Sequence, residues 1–388
     1  MQTLMREVGL DGALATQNAD VFYLSGVLQQ AQVYVPAEGA PLLMVRKHLG
    51  RARLDSHLDD DCVVAVRSLR ELPGLIERAG GKPGRIGFEW DTLPVATYQA
   101  YQKALVGLEA ELVDASMVFR RVRAIKSDFE LAQVRRAADV ADTGLRAAAA
   151  HLREGASEIE VAAQVEAATR AAGHSGIMRM RAYGQEMHMG HLLAGESGAL
   201  PSFMNSPTGG RGPGPWAPYG SGTRTIKRGE PIFFDYTGEW GGYTADQTRM
   251  LSIGPLSSFW QDAYGAMLDV QSYLEREVRP GITSGEVFDL ASRRAESLGY
   301  GDNFMGPPEE ESPGQKVPFV GHGVGLELDE WPPLQRGTDA VLEEGMVLAI
   351  EPKLIFTGRG AIGIEDTYVL TAQGLAPLTH STREIVVV

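Results

Sequence analysis

A chain of 388 residues exceeds what one hydrophobic core usually supports, and a hydrophobic share of 44% is ample for two. A net charge of −14 without a block of Lys or Arg excludes the electrostatic footprint of a nucleic-acid binder. No window approaches the roughly 18 consecutive apolar residues of a membrane span, MQTLMREVGLDGAL lacks the apolar stretch of a signal peptide, and Cys62, the single cysteine, excludes an intramolecular disulfide or a thiolate metal cluster. These features predict a soluble protein of a reducing compartment, the cytoplasm by default, that meets small molecules or small peptides and neither nucleic acid nor membrane.

Residues 1–122 alternate short apolar runs (QVYVPA, PLLMVR, DCVVAVRS) with helical stretches, the pattern of an α/β domain. At RVRAIKSDFELAQVRRAADVADTGLRAAAAHLREG the period becomes that of a long helix, opened by Ser127 and Glu130 spaced as a capping box. The predicted domains are therefore 1–122 and 123–388. A second helix, Ser157 to Ala172, precedes strand-like segments at 176–194 and a hairpin at 231–253. Helices from Ser258 to Val278 and Thr283 to Leu298 then precede strands near 319–328, 346–356 and 362–370. A helix pair followed by strands, twice over, predicts an α+β domain of two related halves around a curved antiparallel sheet, with helices on one face. The Gly/Pro-rich SPTGGRGPGPWAPYGSG is a long loop of the kind that is functional or disordered. Its Arg211, Trp216 and Tyr219 read as loop packing or as pocket lining.

Charged residues inside these apolar segments need an explanation. In FFDYTGEWGGYTADQTR, a hairpin turning at Trp240 and Gly241 would set Asp235 opposite Asp246, with Cβ atoms roughly 5 Å apart and Thr237, Thr244 and Thr248 on the same face. Like charges placed so are destabilising. His322 stands between Gly321 and Gly323 in FVGHGVGLELDEWP, which lacks the Lys-Ser/Thr of a phosphate-binding loop, and a neutral imidazole there is a fitting metal ligand. Glu351 in VLAIEPKLIF and Glu365 in AIGIEDTYVL each interrupt an apolar strand, and glutamate is rarely buried unless paired or coordinated. Four carboxylates and an imidazole, all read as strand residues, call for two divalent cations among them, about 3.5–4 Å apart. Manganese, iron, cobalt or zinc suits such ligands. Asp59, Asp60 and Asp61, and likewise Glu309, Glu310 and Glu311, read as solvated turns, the second patch also placed to attract a substrate amine.

The order D-x10-D-x-T-R, GHGVGLE, EP and IEDT resembles the pita-bread metallopeptidases, a family that includes prolidase, Xaa-Pro aminopeptidase, methionine aminopeptidase and the metal-free creatinase. NADVFYLSG, IGFEWDTLP and FRRVRAIKSDFEL resemble the creatinase-type N-terminal domain of the prolidase branch. The resemblance implies a homodimeric dinuclear hydrolase that cleaves the amide bond before proline. Asp235, Asp246, His322, Glu351 and Glu365 would be its metal ligands, a metal-bridging water its nucleophile, and Glu351 a proton acceptor as well as a ligand. Three positions depart from the family pattern. Ser202 stands where a proton-handling histidine follows a proline, Asp329 where a second histidine meets the substrate, and Gly363 where an arginine precedes the last glutamate. Such surroundings suit a free prolyl carboxylate poorly. His188 and His191 in YGQEMHMGHLL are the expected replacement proton shuttles, Asp329 a catalytic or substrate-binding residue, and Tyr243 and Ser202 substrate-binding residues. A Xaa-Pro peptidase is the leading expectation; a metal-dependent enzyme acting on a small amide, amidine or other non-peptide, and a non-catalytic binding protein, are the alternatives.

Overall fold

The computed structural model describes residues 1–388 and divides into two units, Met1–Arg123 with Arg181–Gly184, and Ala124–Met180 with Gln185–Val388. In the first unit six strands, β1 (Gly12–Ala15), β2 (Ala31–Pro36), β3 (Leu42–Val45), β4 (Val63–Ala65), β5 (Arg85–Phe88) and β6 (Glu111–Asp114), form one mixed sheet in the order β4-β3-β2-β1-β5-β6. Successive strand residues point to opposite faces. Ala13, Ala15, Val33, Val35, Leu43 and Val45 accordingly enter one core, and Leu14, Tyr34, Met44, Ile86 and Phe88 enter another on the other side. A sheet buried on both faces is what the near-continuous apolar runs anticipated.

In the second unit the helices are Asp128–His151, Glu158–Ala171, Ser258–Glu277 and Ser284–Ser297. Capping boxes open three of them, at Ser127 with Glu130, Ser157 with Glu160, and Thr283 with Glu286. The strands are β7 (Gly190–Ala194), β8 (Ile232–Trp240), β9 (Tyr243–Ser252), β10 (Phe319–Gly323), β11 (Glu330–Gln335), β12 (Val347–Ile350), β13 (Lys353–Phe356), β14 (Gly360–Gly363), β15 (Asp366–Thr371), β16 (Gly374–Pro377) and β17 (Val386–Val387). The helix-pair-then-strands order recurs as expected. The strands fall into a four-stranded sheet β17-β9-β8-β7, a five-stranded antiparallel sheet β11-β10-β12-β15-β16 and a hairpin β13-β14. The two larger sheets meet where Thr248 and Glu365 exchange backbone hydrogen bonds of 3.2 and 3.3 Å. No helix is long and apolar enough to cross a membrane.

Four local expectations need correction. The β8–β9 turn consists of Gly241 and Gly242, with φ of 59° and 87°. A two-residue type I′ turn needs positive φ at both central positions, which two glycines accept and Trp240 resists. The register therefore slips by two residues: Asp235 faces Thr248, and Asp246 faces Thr237. Both acids keep their shared face but sit diagonally. Secondly, Glu351 and Glu365 are not strand residues. Each lies at a joint, between β12 and β13 and between β14 and β15, where the chain changes sheets. Pro352, without an amide proton, fixes the first joint. Thirdly, of residues 176–194 only 190–194 form a strand. Finally, β11 carries Pro332 and Pro333, is tolerated because it is an edge strand, and went unforeseen for the same prolines.

Candidate metal centre

Strand order builds the centre. β7, β8 and β9 set His191, Asp235 and Thr248 in one cross-strand row. Thr248 Oγ1 donates 2.9 Å to Glu365 Oε2, tying the row to the second joint. The Asp246 backbone is clamped by Thr367, whose hydroxyl accepts from Asp246 N and donates to Asp246 O, both at 2.9 Å. His322 on β10 lies with Nε2 3.9 Å from Asp246 Oδ2 and 3.8 Å from Glu351 Oε1. Its Nδ1 donates 3.0 Å to the Gly323 carbonyl, which leaves Nε2 on the side of the acids; burial lowers the pKa of the imidazole, but Asp329, Glu351 and Asp246 outweigh burial and raise it. The five expected ligands thus come together.

Within this group Asp246, His322 and Glu365 each offer a ligand atom within 4.8 Å of the others. Asp246 Oδ1 and Glu365 Oε1 are buried without a hydrogen-bond partner. Buried acceptors normally have one, and two orphaned carboxylate oxygens in a group with an imidazole are donors that suit a divalent cation. Without an ion these acids are uncomfortable. Burial pushes the Asp246 carboxyl far above the usual range, and Glu365 and Asp235 add to the effect. Burial likewise pushes Glu365 far up, despite Lys353.

Sequence reasoning missed Lys353. The first residue of β13 lays its ammonium among the acids, Nζ standing 2.6 Å from Glu351 Oε2, 3.0 Å from Asp235 Oδ2 and 3.3 Å from Glu365 Oε2. The side chain is only 3% exposed. Burial alone would favour its neutral form, but Asp235, Glu351 and Glu365 outweigh it and hold the lysine strongly protonated. Asp235 in turn is pushed up by burial but held below the ordinary carboxylate range, chiefly by Lys353 and then His191. The pair of cations expected from four carboxylates therefore meets a cation supplied by the chain. The signal was present in VLAIEPKLIF, where the lysine interrupts the apolar run as plainly as Glu351 does.

The remaining candidates divide. His191 is buried on β7, its Nε2 3.1 Å from Thr208 Oγ1 and 3.8 Å from Asp235 Oδ2. Burial lowers its pKa to about 4, so it is a neutral hydrogen-bonding group. His188 is exposed and stacks on Tyr219 at 6.4 Å, outside the centre. Asp329 is half exposed, with Oδ1 3.5 Å from His322 Nδ1. Ser202 accepts from Met204 N within its own loop and lines a cavity of about 110 Å³ with Asn205 and Lys316. Tyr243 lies at the far end of the hairpin, where its hydroxyl donates 3.1 Å to Glu130 Oε1, so it braces the Asp128–His151 helix instead of facing the acids. In the Gly/Pro-rich loop Trp216 and Arg211 are exposed, but Thr208 and Tyr219 are buried, Tyr219 packing edge-on against His191. Ser221 anchors the loop, accepting from Leu192 N and donating to Leu192 O at 2.9 Å each. The acidic patches at 59–61 and 309–311 are exposed.

The description "Metallopeptidase family M24" matches residues 132–372, and "Creatinase/Prolidase N-terminal domain" matches residues 1–125. The chain belongs to metallopeptidase family M24. It is thereby a hydrolase of a family that uses divalent metals. A Xaa-Pro dipeptidase of Pyrococcus horikoshii is 27% identical over 384 residues, spanning 98% of this chain and 96% of the relative. The solved prolidase from Pyrococcus horikoshii OT3 matches with a TM-score of 0.79 at 26% identity, covering 99% of this chain and 98% of that one. A Xaa-Pro dipeptidase structure from Bacillus anthracis has the same fold, with a TM-score of 0.82 at 24% identity over 100% and 98% of the two chains.

Proposed function

We propose that this chain is a divalent-metal-dependent peptidase that hydrolyses the bond before a proline, in peptides whose α-amine is held by an acid, as in Xaa-Pro aminopeptidases. The observation that carries the metal requirement is the buried Asp246–His322–Glu365 group with its two orphaned oxygens. The substrate class is supported by the relatives, a Xaa-Pro dipeptidase and a prolidase.

A divalent ion bound there would supply Lewis acidity, polarising the scissile carbonyl and activating water. Manganese, cobalt, zinc and iron all suit carboxylate and imidazole ligands. The chain's own groups do the rest. Glu351 has Oε2 fixed by Lys353 and Oε1 turned toward His322, which makes Oε1 the proton acceptor beside the attacking water. His191, neutral and fixed by Thr208, stands with Nε2 3.8 Å from Asp235 Oδ2 as a neighbour of that acid and not a store of protons. Asp329, half exposed beside His322, offers its carboxylate to a substrate ammonium. Gly363 supplies no guanidinium for a free prolyl carboxylate, and the Lys353 ammonium is already engaged by three acids, which favours tripeptides and longer over Xaa-Pro dipeptides. The homodimer and the cytoplasmic setting belong to the same reading.

The test is a substrate panel on chelator-stripped protein reconstituted with Mn²⁺, Co²⁺, Zn²⁺ or Fe²⁺. Xaa-Pro-Yaa peptides should be cleaved, and Glu351→Gln should lower kcat by at least about 100-fold, a typical lower range for loss of a general base. Turnover of small amides with none of any peptide would favour the non-peptide alternative. A fully metal-loaded protein that turns over nothing would contradict both enzymatic readings.

A further inference from the structure

The acids of the centre serve two different cations. Three of them converge on one point: Asp235 Oδ2, Glu351 Oε2 and Glu365 Oε2 all lie within 3.3 Å of Lys353 Nζ. An ammonium has three donors and no acceptor, and here three carboxylate oxygens from separate segments stand within reach of them. Metal ions bind carboxylate oxygens at about 2.0–2.2 Å. An ion drawing on the same three oxygens would overlap the ammonium, so the point holds one or the other.

The place for the lysine is built by a second position. Gly363 is the register partner of Lys353 across β13 and β14. A Cβ added at 363 would lie 2.7 Å from the Pro352 carbonyl oxygen, 2.8 Å from Lys353 Cγ and 2.9 Å from Lys353 Cα. Any side chain there would meet the β13 backbone as well as the lysine stem, so the close approach of the two strands requires glycine at 363 and leaves the stem undisturbed. The Phe233 ring, fully buried, has its centroid 5.4 Å from Nζ and closes that side of the point. The other acids remain available: Asp246 Oδ1 and Glu365 Oε1 have no partner, and His322 Nε2 faces them.

We propose that the centre holds a single divalent cation, at Asp246, His322 and Glu365, and that the Lys353 ammonium takes the place of a second ion at Asp235 and Glu351. The assignment shares its metal site with the peptidase reading but does not depend on which reaction occurs. Its consequence is chemical. A lysine supplies fixed positive charge and hydrogen-bond donors but no coordination position, so only one side of the centre can polarise a substrate by direct ligation.

The experiment is manganese stoichiometry, by equilibrium dialysis with elemental analysis and by electron paramagnetic resonance, on wild type, Lys353→Gly and Asp235→Asn. Wild type should bind one Mn²⁺ per chain with the signal of an isolated ion. Lys353→Gly, in which the stem and charge are gone, should double that to two per chain with the signal of an exchange-coupled pair. Asp235→Asn should keep one ion per chain, because Asp235 serves the lysine. Two ions per chain in wild type, none, or loss of the ion in Asp235→Asn would overturn the proposal. If Lys353→Gly does not fold, wild type and Asp235→Asn still decide it. Peptidase activity plays no part in these readouts, so an inactive protein with one bound ion would sink the peptidase reading and leave this one standing.

Discussion

Each unit of this chain buries a cluster of acids, and the two clusters are balanced differently. In the first unit the buried Asp20 and Glu89, with Asp91 at the exposed edge, lie among Arg120, Arg123 and Arg181. Asp20 accepts from Arg123 at 3.0 Å and from Arg181 at 2.7 Å, Asp91 accepts from Arg181 at 2.7 and 2.9 Å, and Arg120 reaches Asp91 at 2.7 Å. Glu89 Oε2 accepts the amides of Thr16 and Gln17. Three acids face three guanidiniums, so the two signs of charge match, although Glu89 Oε1 has no hydrogen-bond partner and lies 3.8 Å from the nearest of them, Arg181 Nη2. In the second unit Asp235, Asp246, Glu351 and Glu365 face one lysine, and two carboxylate oxygens have no partner. Burial of charge alone does not mark a functional site; burial of surplus charge of one sign does, because surplus charge needs a ligand from outside the chain.

That contrast can be broken from either side. The largest effect should come from the unbalanced cluster. Asp246→Asn or His322→Ala should weaken Mn²⁺ binding in isothermal titration by more than the roughly 10–100-fold typical of residues that merely orient a ligand. Peptidase activity should fall with it, while unfolding of the first unit is unchanged. In the balanced cluster, Asp20→Ala removes the buried acid shared by Arg123 and Arg181 and should cost about 3–5 kcal/mol in urea unfolding, with metal affinity unmoved. If Asp20→Ala instead abolished metal binding, the two clusters would not be the independent devices described above.

A smaller effect concerns pH. His191 is buried neutral, with a folded pKa of about 4 against an ordinary 6.5. Between these values the unfolded chain binds more protons than the folded one, so stability is full above about 6.5 and falls as pH drops toward 4. The maximal loss is about 3 kcal/mol from one such group. His191→Gln should remove that part of the slope in pH-dependent thermal unfolding; an unchanged slope would show that His191 is not the group responsible.

Much of this centre can be read in the sequence, and for a physical reason. Asp235, Glu351 and Glu365 interrupt runs that otherwise want to be core, and repeated interruption by buried acids calls for a shared positive partner. What escapes the sequence is equally specific. Lys353 interrupts the same run, yet a lone lysine in a strand reads as an edge or a solvated tip, and only the fold shows its ammonium among three carboxylates. Gly363 reads as a missing arginine, whereas the register sets it against the Pro352–Lys353 backbone, where a Cβ has no room. The diagonal placement of Asp235 and Asp246 turns on which two residues of WGGY form the turn, a choice decided by positive φ and not by hydrophobic alternation. Tyr243 sits in a motif rich in site residues but at its wrong end, bonded to Glu130. Proximity in sequence to ligands is a weak guide when a strand of ten residues carries its two ends far apart.

The most direct test of the account is anomalous diffraction at the manganese edge from crystals equilibrated with Mn²⁺. The account predicts one peak per chain, bounded by Asp246, His322 and Glu365, with Lys353 Nζ still in hydrogen-bond contact with Asp235 and Glu351. Two peaks, with the lysine displaced from the acids, or no peak at all, would contradict it.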